Sequence, residues 1–345
     1  VRLVTHYDGE INGVRLEGIG HGEHRDGITE AEMVFSSFPE DFAPLLCRSW
    51  KCVHHVEGPG GPSDKIQETI AYTRESRGTL HKQARILRYG SEIQEAHNSF
   101  TGTYQGALDL LRPGVHRETF LPAGPGRSLI LGYRDLETGK GRVEYEWSGF
   151  VTWGPEAPSE AVTVEYEWLA WEWQRRGQGG VYRKKLRVQR KPAASFAVRP
   201  GRADDLAQIQ EAYEADWRRL AHLGAISAEG PRFAPHTFEK FLSQDLFSTW
   251  IAEDSGRPCG FVVLERASDT DFLPGVYGEI VWLAAYSGWR GTGVEGSLLQ
   301  AARQWCAQQG LSVFQTTAYA WDSPLRHLLE AAGMRSVAQS YRGSP

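Results

Sequence analysis

The 345-residue chain predicts an α+β protein of two domains, an antiparallel β-barrel or sandwich over 1–192 and a mixed α/β sheet over 195–345. Three observations carry that expectation. Apolar residues alternate with period two through the first 190 or so positions, broken at glycine-containing turns. Past Lys191-Pro192-Ala193-Ala194-Ser195, stretches of helical period alternate with short strands. The length itself allows two separate cores.

Turn signals in the first domain fall at Asp8-Gly9, Asn12-Gly13, Asp26-Gly27, Gly139-Lys140-Gly141 and Gly177-Gln178-Gly179-Gly180. They delimit about ten short strands and no long helix. Val143, Tyr145, Trp147, Val151 and Trp153 hold odd positions, so one face enters a core and the polar residues between them face water. Val162, Val164, Tyr166 and Trp168 hold even positions, and then Leu169, Trp171 and Trp173 carry the apolar face on odd ones. A change of phase inside one strand is the mark of a β-bulge. Alternation also puts Arg183, Lys185 and Arg187 opposite Tyr182, Leu186 and Val188, as a solvated basic face or a docking strip for an anionic partner. A barrel of this size has room for an apolar ligand, which leaves open a binding role for this half.

Bulk composition excludes more than it identifies. A formal charge of −5 gives no general attraction to nucleic acid or to an anionic membrane. No apolar run reaches the roughly 20 residues of a spanning helix. The start shows no charged segment followed by an apolar one, and the expected reducing, cytoplasmic setting rests on the cysteine usage. Four cysteines are too few for a disulfide framework, and Cys259 and Cys306 read as reduced core residues. Cys47 and Cys52 lie near His54 and His55, with His21 and His24 upstream, but their spacing matches no standard zinc pattern, so no metal is expected.

In the second domain, Phe196–Val198 reads as a strand, and Asp204 and Asp205 suit the first turn of a helix striped by Leu206, Ile209, Tyr213 and Leu220. Trp250–Ala252 and Phe261–Leu264 form a hairpin around Asp254-Ser255-Gly256, and Glu279–Ala285 is a further strand. A helix from about Gly291 to Gln309 carries Val294, Leu298, Leu299, Ala302, Trp305 and Cys306 on one face and stops at Gly310. Val313–Tyr319 is a strand, Ser323-Pro324 opens the last helix, Gly333 ends it, and a last strand covers Arg335–Tyr341.

The stretch richest in chemistry is the strand Glu279–Ala285 feeding Arg290-Gly291-Thr292-Gly293-Val294-Glu295-Gly296. Glycines admit a ligand close to the backbone, and the first amides of a helix, aided by its dipole, hold phosphate oxygens. Arg290 adds a guanidinium suited to the same oxygens. A dinucleotide fold would need such a turn after its first strand, and here the turn follows the fourth.

Arg290-Gly-Thr-Gly-Val with Leu298-Leu299 resembles the signature turn and helix of the GNAT N-acetyltransferase superfamily. Val198-Arg199-Pro200, Ile251-Ala252-Glu253, Gly260-Phe261-Val262 and Leu328-Leu329-Glu330-Ala331-Ala332-Gly333 agree with that family in order and spacing. The resemblance covers about 195–345 and implies an acetyl-CoA co-substrate held by Arg290, Gly291, Thr292, Gly293, Val294 and Gly296. It also implies an amide from Leu283 to Ala285 that polarises the thioester carbonyl. Glu295 stands where the family has glycine or alanine, Leu329 where it often has a tyrosine acid, and Asp322 where it often has asparagine.

Acyl transfer to an amine needs a base for its proton and a donor for the oxyanion. Glu279, on the strand before the turn, is the expected base, with a solvated strand carboxylate as the bland alternative. Tyr319, Tyr286 or water is the expected acid. The acceptor is an amine on a small molecule or peptide, contacted from Ser268–Val276, Asp269, Asp271 and Trp321. The competing class is an inactive GNAT-fold binding protein, and a homo-dimer is left open.

Overall fold

The structure, a computed structural model, describes residues 2–11, 14–37, 50–57, 65–74, 80–88, 92–101, 111–138, 141–152, 159–222, 233, 235–243, 247–270, 273–286, 288–318 and 323–336. The first sheet holds β1 (Arg2–Ile11), β2 (Val14–Arg25), β3 (Ile28–Ser37), β4 (Trp50–Glu57), β5 (Lys65–Arg74), β6 (Leu80–Arg88), β7 (Glu92–Thr101), β8 (Leu111–Pro122), β9 (Arg127–Thr138), β10 (Gly141–Thr152), β11 (Val162–Arg176) and β12 (Gly179–Pro192). Their order is β1-β2-β3-β12-β11-β8-β9-β10-β7-β6-β5-β4. Every neighbouring pair is antiparallel, and β1 pairs with both β2 and β4. Antiparallel strands are what the alternation predicts; there are twelve rather than about ten, and they run from 8 to 15 residues.

The phase change in β11 is a bulge, since its register with β12 shifts between Trp168 and Ala170. Leu169 is the inserted residue and is 37% exposed, so it leaves the apolar face the alternation assigned it and points to water. Arg183, Lys185 and Arg187 share the exposed face, where they pair with Glu32, Glu30 and Glu167 on the flanking strands. These cross-strand partners favour the solvated-face reading of the basic run over an anion strip. Lys184, on the opposite face, is held below the ordinary lysine range by burial and then by the Arg134 charge.

One stretch departs from the dry-face, wet-face pattern. Tyr133 of β9 stands opposite Arg117 of β8 and Glu146 of β10, and Leu131 stands opposite Thr119 and Ser148. Residues directly opposed in an antiparallel pair share a face. All six of these are buried, Tyr133 completely. The alternation predicts water on the Glu146 side of β10. The structure instead covers that face from the C-terminal part of the chain, where Leu328 packs against Leu129 and Leu131.

The second sheet runs β13 (Ala197–Pro200), β14 (Phe247–Asp254), β15 (Arg257–Thr270), β16 (Leu273–Ala285) and β17 (Phe314–Thr316) in that order. The first four are antiparallel and β17 is parallel to β16, the predicted mixed sheet. The predicted hairpin turn holds Ser255 and Gly256 at φ 52° and 78°. Helices α1 (Leu206–His222) and α2 (Pro235–Ser243) cover one face. There Ile209, Tyr213, Phe238 and Phe241 meet Ile251, Phe261, Val263 and Ala284. On the other face, α3 (Val294–Gln308) and α4 (Ser323–Ala331) bring Leu298, Leu299, Trp305 and Leu329 onto Ala252, Val262, Ile280 and Ala285. Phe261 and Val263 thus serve one core while Val262 and Leu264 serve the other, as a sheet buried on both sides requires. Cys259 and Cys306 are free and buried, as expected.

Three expectations change in detail. Helix α3 starts at Val294 rather than Gly291, because Gly291 and Gly293 adopt positive φ and form a turn ahead of it. Helix α2 was not anticipated; its nine residues are too few for a clear helical stripe. Arg335 and Ser336 are not in a strand, and the rest of the predicted last strand lies outside the described residues.

A buried ionic junction ties the start of α1 to the sheet. Arg199 of β13 donates to both Asp205 oxygens at 2.7 and 2.8 Å and to Glu253 of β14 at 2.7 Å. Asp205 also accepts the Arg202 amide at 2.7 Å. The Arg199 bonds pull the Asp205 carboxyl below its ordinary value of 3.8, burial opposes them, and the Arg202 amide adds to the lowering. A lowered native pKa means the contribution is complete above the unfolded value and disappears as pH falls through the native one. Asp205→Asn is therefore expected to lower the urea midpoint at pH 7. The gap to wild type should narrow as pH falls below the carboxyl's ordinary value of 3.8. A gap independent of pH would assign the loss to packing instead.

Candidate functional site

Strand β16 is paired along most of one edge and, among the described residues, only from Gly278 to Ile280 on the other. Its register with β15 shifts between Trp282 and Ile280, which makes Val281 a bulge residue. On the opposite edge, pairing with β17 stops at Ile280 opposite Thr316. The bulge and the end of that pairing coincide, and beyond them Leu283, Ala284 and Ala285 face a cleft whose far wall is Pro324, Leu325 and Leu328 of α4. Backbone direction past the bulge follows from one bond. The Tyr286 amide donates to the Cys259 carbonyl at 2.7 Å, towards β15. Amides alternate edges along a strand, so those of Leu283 and Ala285 turn the other way, into the cleft.

After Tyr286 the chain turns through Gly288, Gly291 and Gly293 at φ 89°, 70° and 86° into α3, with Gly293 as its N-cap. Only glycine adopts such angles without strain, which is why the run is glycine-rich. Thr292 fastens the turn by donating its hydroxyl and its amide to the Trp289 carbonyl. Val294 begins the helix fully buried, and Gly296 leaves 3.6 Å between a would-be Cβ and Leu328.

The outer face of β8–β10 lies over this turn. Arg117 donates to the carbonyls of Arg290, at 2.8 Å, and Gly288, and Thr119 donates to that of Gly291 at 2.6 Å. All three bonds use carbonyl oxygens, so they hold the turn without consuming its amides. Tyr133 and Leu121 fill the space beside the glycines: a Cβ on Gly291 would lie 2.8 Å from that of Tyr133, and one on Gly293 3.3 Å from Leu121. Arg290, only 5% exposed, faces Glu146 across 3.8 Å. Ser148 shares a 2.8 Å hydrogen bond with His327 of α4. What remains is a cavity of about 50 Å³ lined by Glu146, Asp216, Leu283, Arg290, Gly291 and Glu295 among others. A turn open to solvent, as its chemistry suggested, is not what the structure shows.

Of the predicted binding residues, Leu283, Ala285, Arg290 and Gly291 line the cleft, whereas Thr292, Gly293 and Gly296 lie in the adjoining turn and first helical turn and Val294 is buried in the core. Glu279 sits further back on β16, half-buried and opposite Glu265. Burial, then the Glu265 charge, pushes its carboxyl above the usual range. Tyr319 lies outside the described residues, as do Asp271, Trp321 and Asp322. Tyr286 packs against Phe261 with its hydroxyl buried and, among the described residues, without a hydrogen-bond partner, and burial raises its pKa strongly. Leu329 is core. Cys47 lies outside the described residues, and the side chains of Cys52, His24, His54 and His55 are not described.

Sequence reasoning missed Arg117, Thr119, Glu146 and Asp216. The first three sit about 140 to 170 positions from the turn, and their only local signal was a polar residue on an alternating strand. Asp216 was hidden among the helical residues of α1.

Residues 206–334 match the family model described as the acetyltransferase (GNAT) family. No curated protein matches the chain. Among solved structures, a tetramutant of a Bacillus halodurans protein is similar at 12% identity and a TM-score of 0.39, over 43% of this chain and 99% of that one. The aminoglycoside acetyltransferase AAC(6')-Iy with a CoA bisubstrate analogue is similar at 15% identity and 0.36, over 44% and 100%. A Clostridium acetobutylicum protein described as a predicted acetyltransferase, with acetyl-CoA, is similar at 14% identity and 0.34, over 44% and 96%.

Gly291→Ala tests the packing at the turn. Positive φ and the approach to Tyr133 both oppose a methyl group there, so a stability loss of about 1–3 kcal/mol is expected in urea titration. An unchanged midpoint would show that the turn is not held against β9.

Proposed function

We propose that this chain, whose residues 206–334 carry a GNAT-family acetyltransferase domain, transfers an acetyl or other short acyl group from CoA to an amine. The observation that carries the reading is the cleft floor itself. Two amides of β16, at Leu283 and Ala285, point into a gap beside a glycine turn that ends on a helix N-terminus. That donor set fits acyl-CoA: helix amides and Arg290 suit the diphosphate, and the strand amides suit the thioester carbonyl. The space does not fit it. A cavity of about 50 Å³ holds a water or two, whereas cavities that enclose organic ligands run to roughly 300–1,000 Å³.

Within the reading, bound acyl-CoA supplies the activated acyl group, and the protein supplies the proton acceptor. Glu279 lies on the β16 face that packs under α1 and α2, away from α3, which places it on the side an acceptor would approach. The upward shift of its carboxyl is in the direction that a proton-accepting base needs. Tyr286, just past the end of β16, has a buried hydroxyl whose pKa is raised by burial, which supports a role as donor. The acceptor stays at the level of an amine on a small molecule or peptide. On the same footing we divide the chain into domains at 1–192 and 195–345. We read the first as a barrel, because its ladder runs from β1 through all twelve strands to β4, which pairs with β1.

Turnover is tested with acetyl-CoA and a panel of amines, following thiol release. Glu279→Gln is expected to lower kcat by about 10²–10⁴-fold and to flatten the rise of rate with pH. Because burial and Glu265 raise this carboxyl, the wild-type rise should centre above the ordinary carboxylate value of 4.5. Unchanged kcat and pH profile would remove Glu279 as the base.

A further inference from the structure

We propose that the outer face of β8–β10 is a built-in competitor of acyl-CoA, with Glu146 taking the place of the diphosphate against Arg290. Ligand then enters only as these strands leave the glycine turn. The inference rests on the acyl-CoA reading above and assigns that site its regulation.

Four observations converge on it. Arg290 is the cation that the diphosphate would seek, and its guanidinium faces a carboxylate of the other domain. Both side chains are about nine-tenths buried, so a ligand cannot reach Arg290 while Glu146 is there. Gly291 and Gly293, whose bare backbone would admit a ligand, are instead approached by Tyr133 and Leu121. The cleft beside them retains about 50 Å³ and carries the carboxylates of Glu146, Asp216 and Glu295, which repel a second anion.

The contact also has the character of one made to be exchanged. Fixed apolar interfaces exclude charge, whereas this one places Arg117, Thr119, Glu146, Ser148 and Arg290 at its centre. Arg117 and Thr119 satisfy the carbonyls of the turn, so they stabilise the covered form without altering the amides a diphosphate would use. Arg290 Nε lies 3.8 Å from Glu146 Oε1. A diphosphate offers more charge and better geometry to the same guanidinium. If the open form is a fraction of the population, the apparent Kd is the intrinsic one divided by that fraction, so weakening the cover must tighten binding.

The test uses the full chain as wild type, Glu146→Gln and Arg117→Met, with acetyl-CoA binding followed by calorimetry and Tyr133 exposure by hydroxyl-radical footprinting. Both variants are expected to bind acetyl-CoA at least 10-fold more tightly than wild type. Saturating acetyl-CoA is expected to raise Tyr133 labelling in wild type from its buried baseline. Two outcomes overturn the proposal. If wild type binds acetyl-CoA with Tyr133 still protected and the variants bind no better, β8–β10 support the site rather than close it, and the acyl-CoA reading stands. If no protein binds acetyl-CoA although Tyr133 is labelled in the variants, the acyl-CoA reading falls and the competitor role with it. Footprinting of wild type alone keeps the proposal open to refutation should either variant fail to fold.

Discussion

The half-open edge of β16 is the constraint from which the rest of the second domain follows. A strand in a sheet interior must satisfy donors and acceptors on both edges. Here β15 pairs with one edge apart from local irregularities such as the Val281 bulge, while among the described residues β17 pairs with the other only from Gly278 to Ile280. The Val281 bulge redirects the strand at that point, and α3 and α4 anchor the two sides of the gap through Leu298, Leu299 and Leu329. Unpaired backbone amides in a gap between packed elements are costly unless something binds them. A ligand cleft is one solution to that cost, and the glycine turn at its end extends the same solution to an anion.

Part of this was legible in the sequence. The turn is spelled by three glycines that need positive φ, and the hairpin at Ser255-Gly256 by the same rule. The bulge in β11 was legible because a change of hydrophobic phase is a local event. Helix α2 was not, since its nine residues carry too few turns to show a period. The cover over the turn was illegible for a different reason. Glu146, Thr119 and Arg117 have the polarity of wet strand residues, and alternation assigns a residue to a side of the sheet without saying what lies on that side. Tyr133 and Leu131 were the available hint, large residues in register with polar ones on the same face.

That mixture of residues explains how the two sheets' halves of the chain meet. Leu129, Leu131 and Leu328 supply a small apolar patch at one end of the contact. Nearer the turn, Tyr133 and Leu121 pack on the glycines, while Arg117 and Thr119 bond the turn's carbonyls and Glu146 faces Arg290. A buried ion pair gives back in Coulomb attraction about what it loses in desolvation, so it adds little net stability while making the contact specific. The interface is therefore selective for the glycine turn without being strongly held to it.

Selectivity of this kind has a chemical origin that the two halves of the site share. Helix amides, a guanidinium and a glycine backbone recognise negative charge in a narrow space, whatever atom bears it. A carboxylate brought in by the same chain and a diphosphate brought in by a ligand meet the same groups. The carboxylate is tethered and so loses little freedom on docking, while the diphosphate brings more charge and a closer fit. Which one holds Arg290 is then decided by ligand concentration, and the first sheet acts on the second domain without contributing to its chemistry.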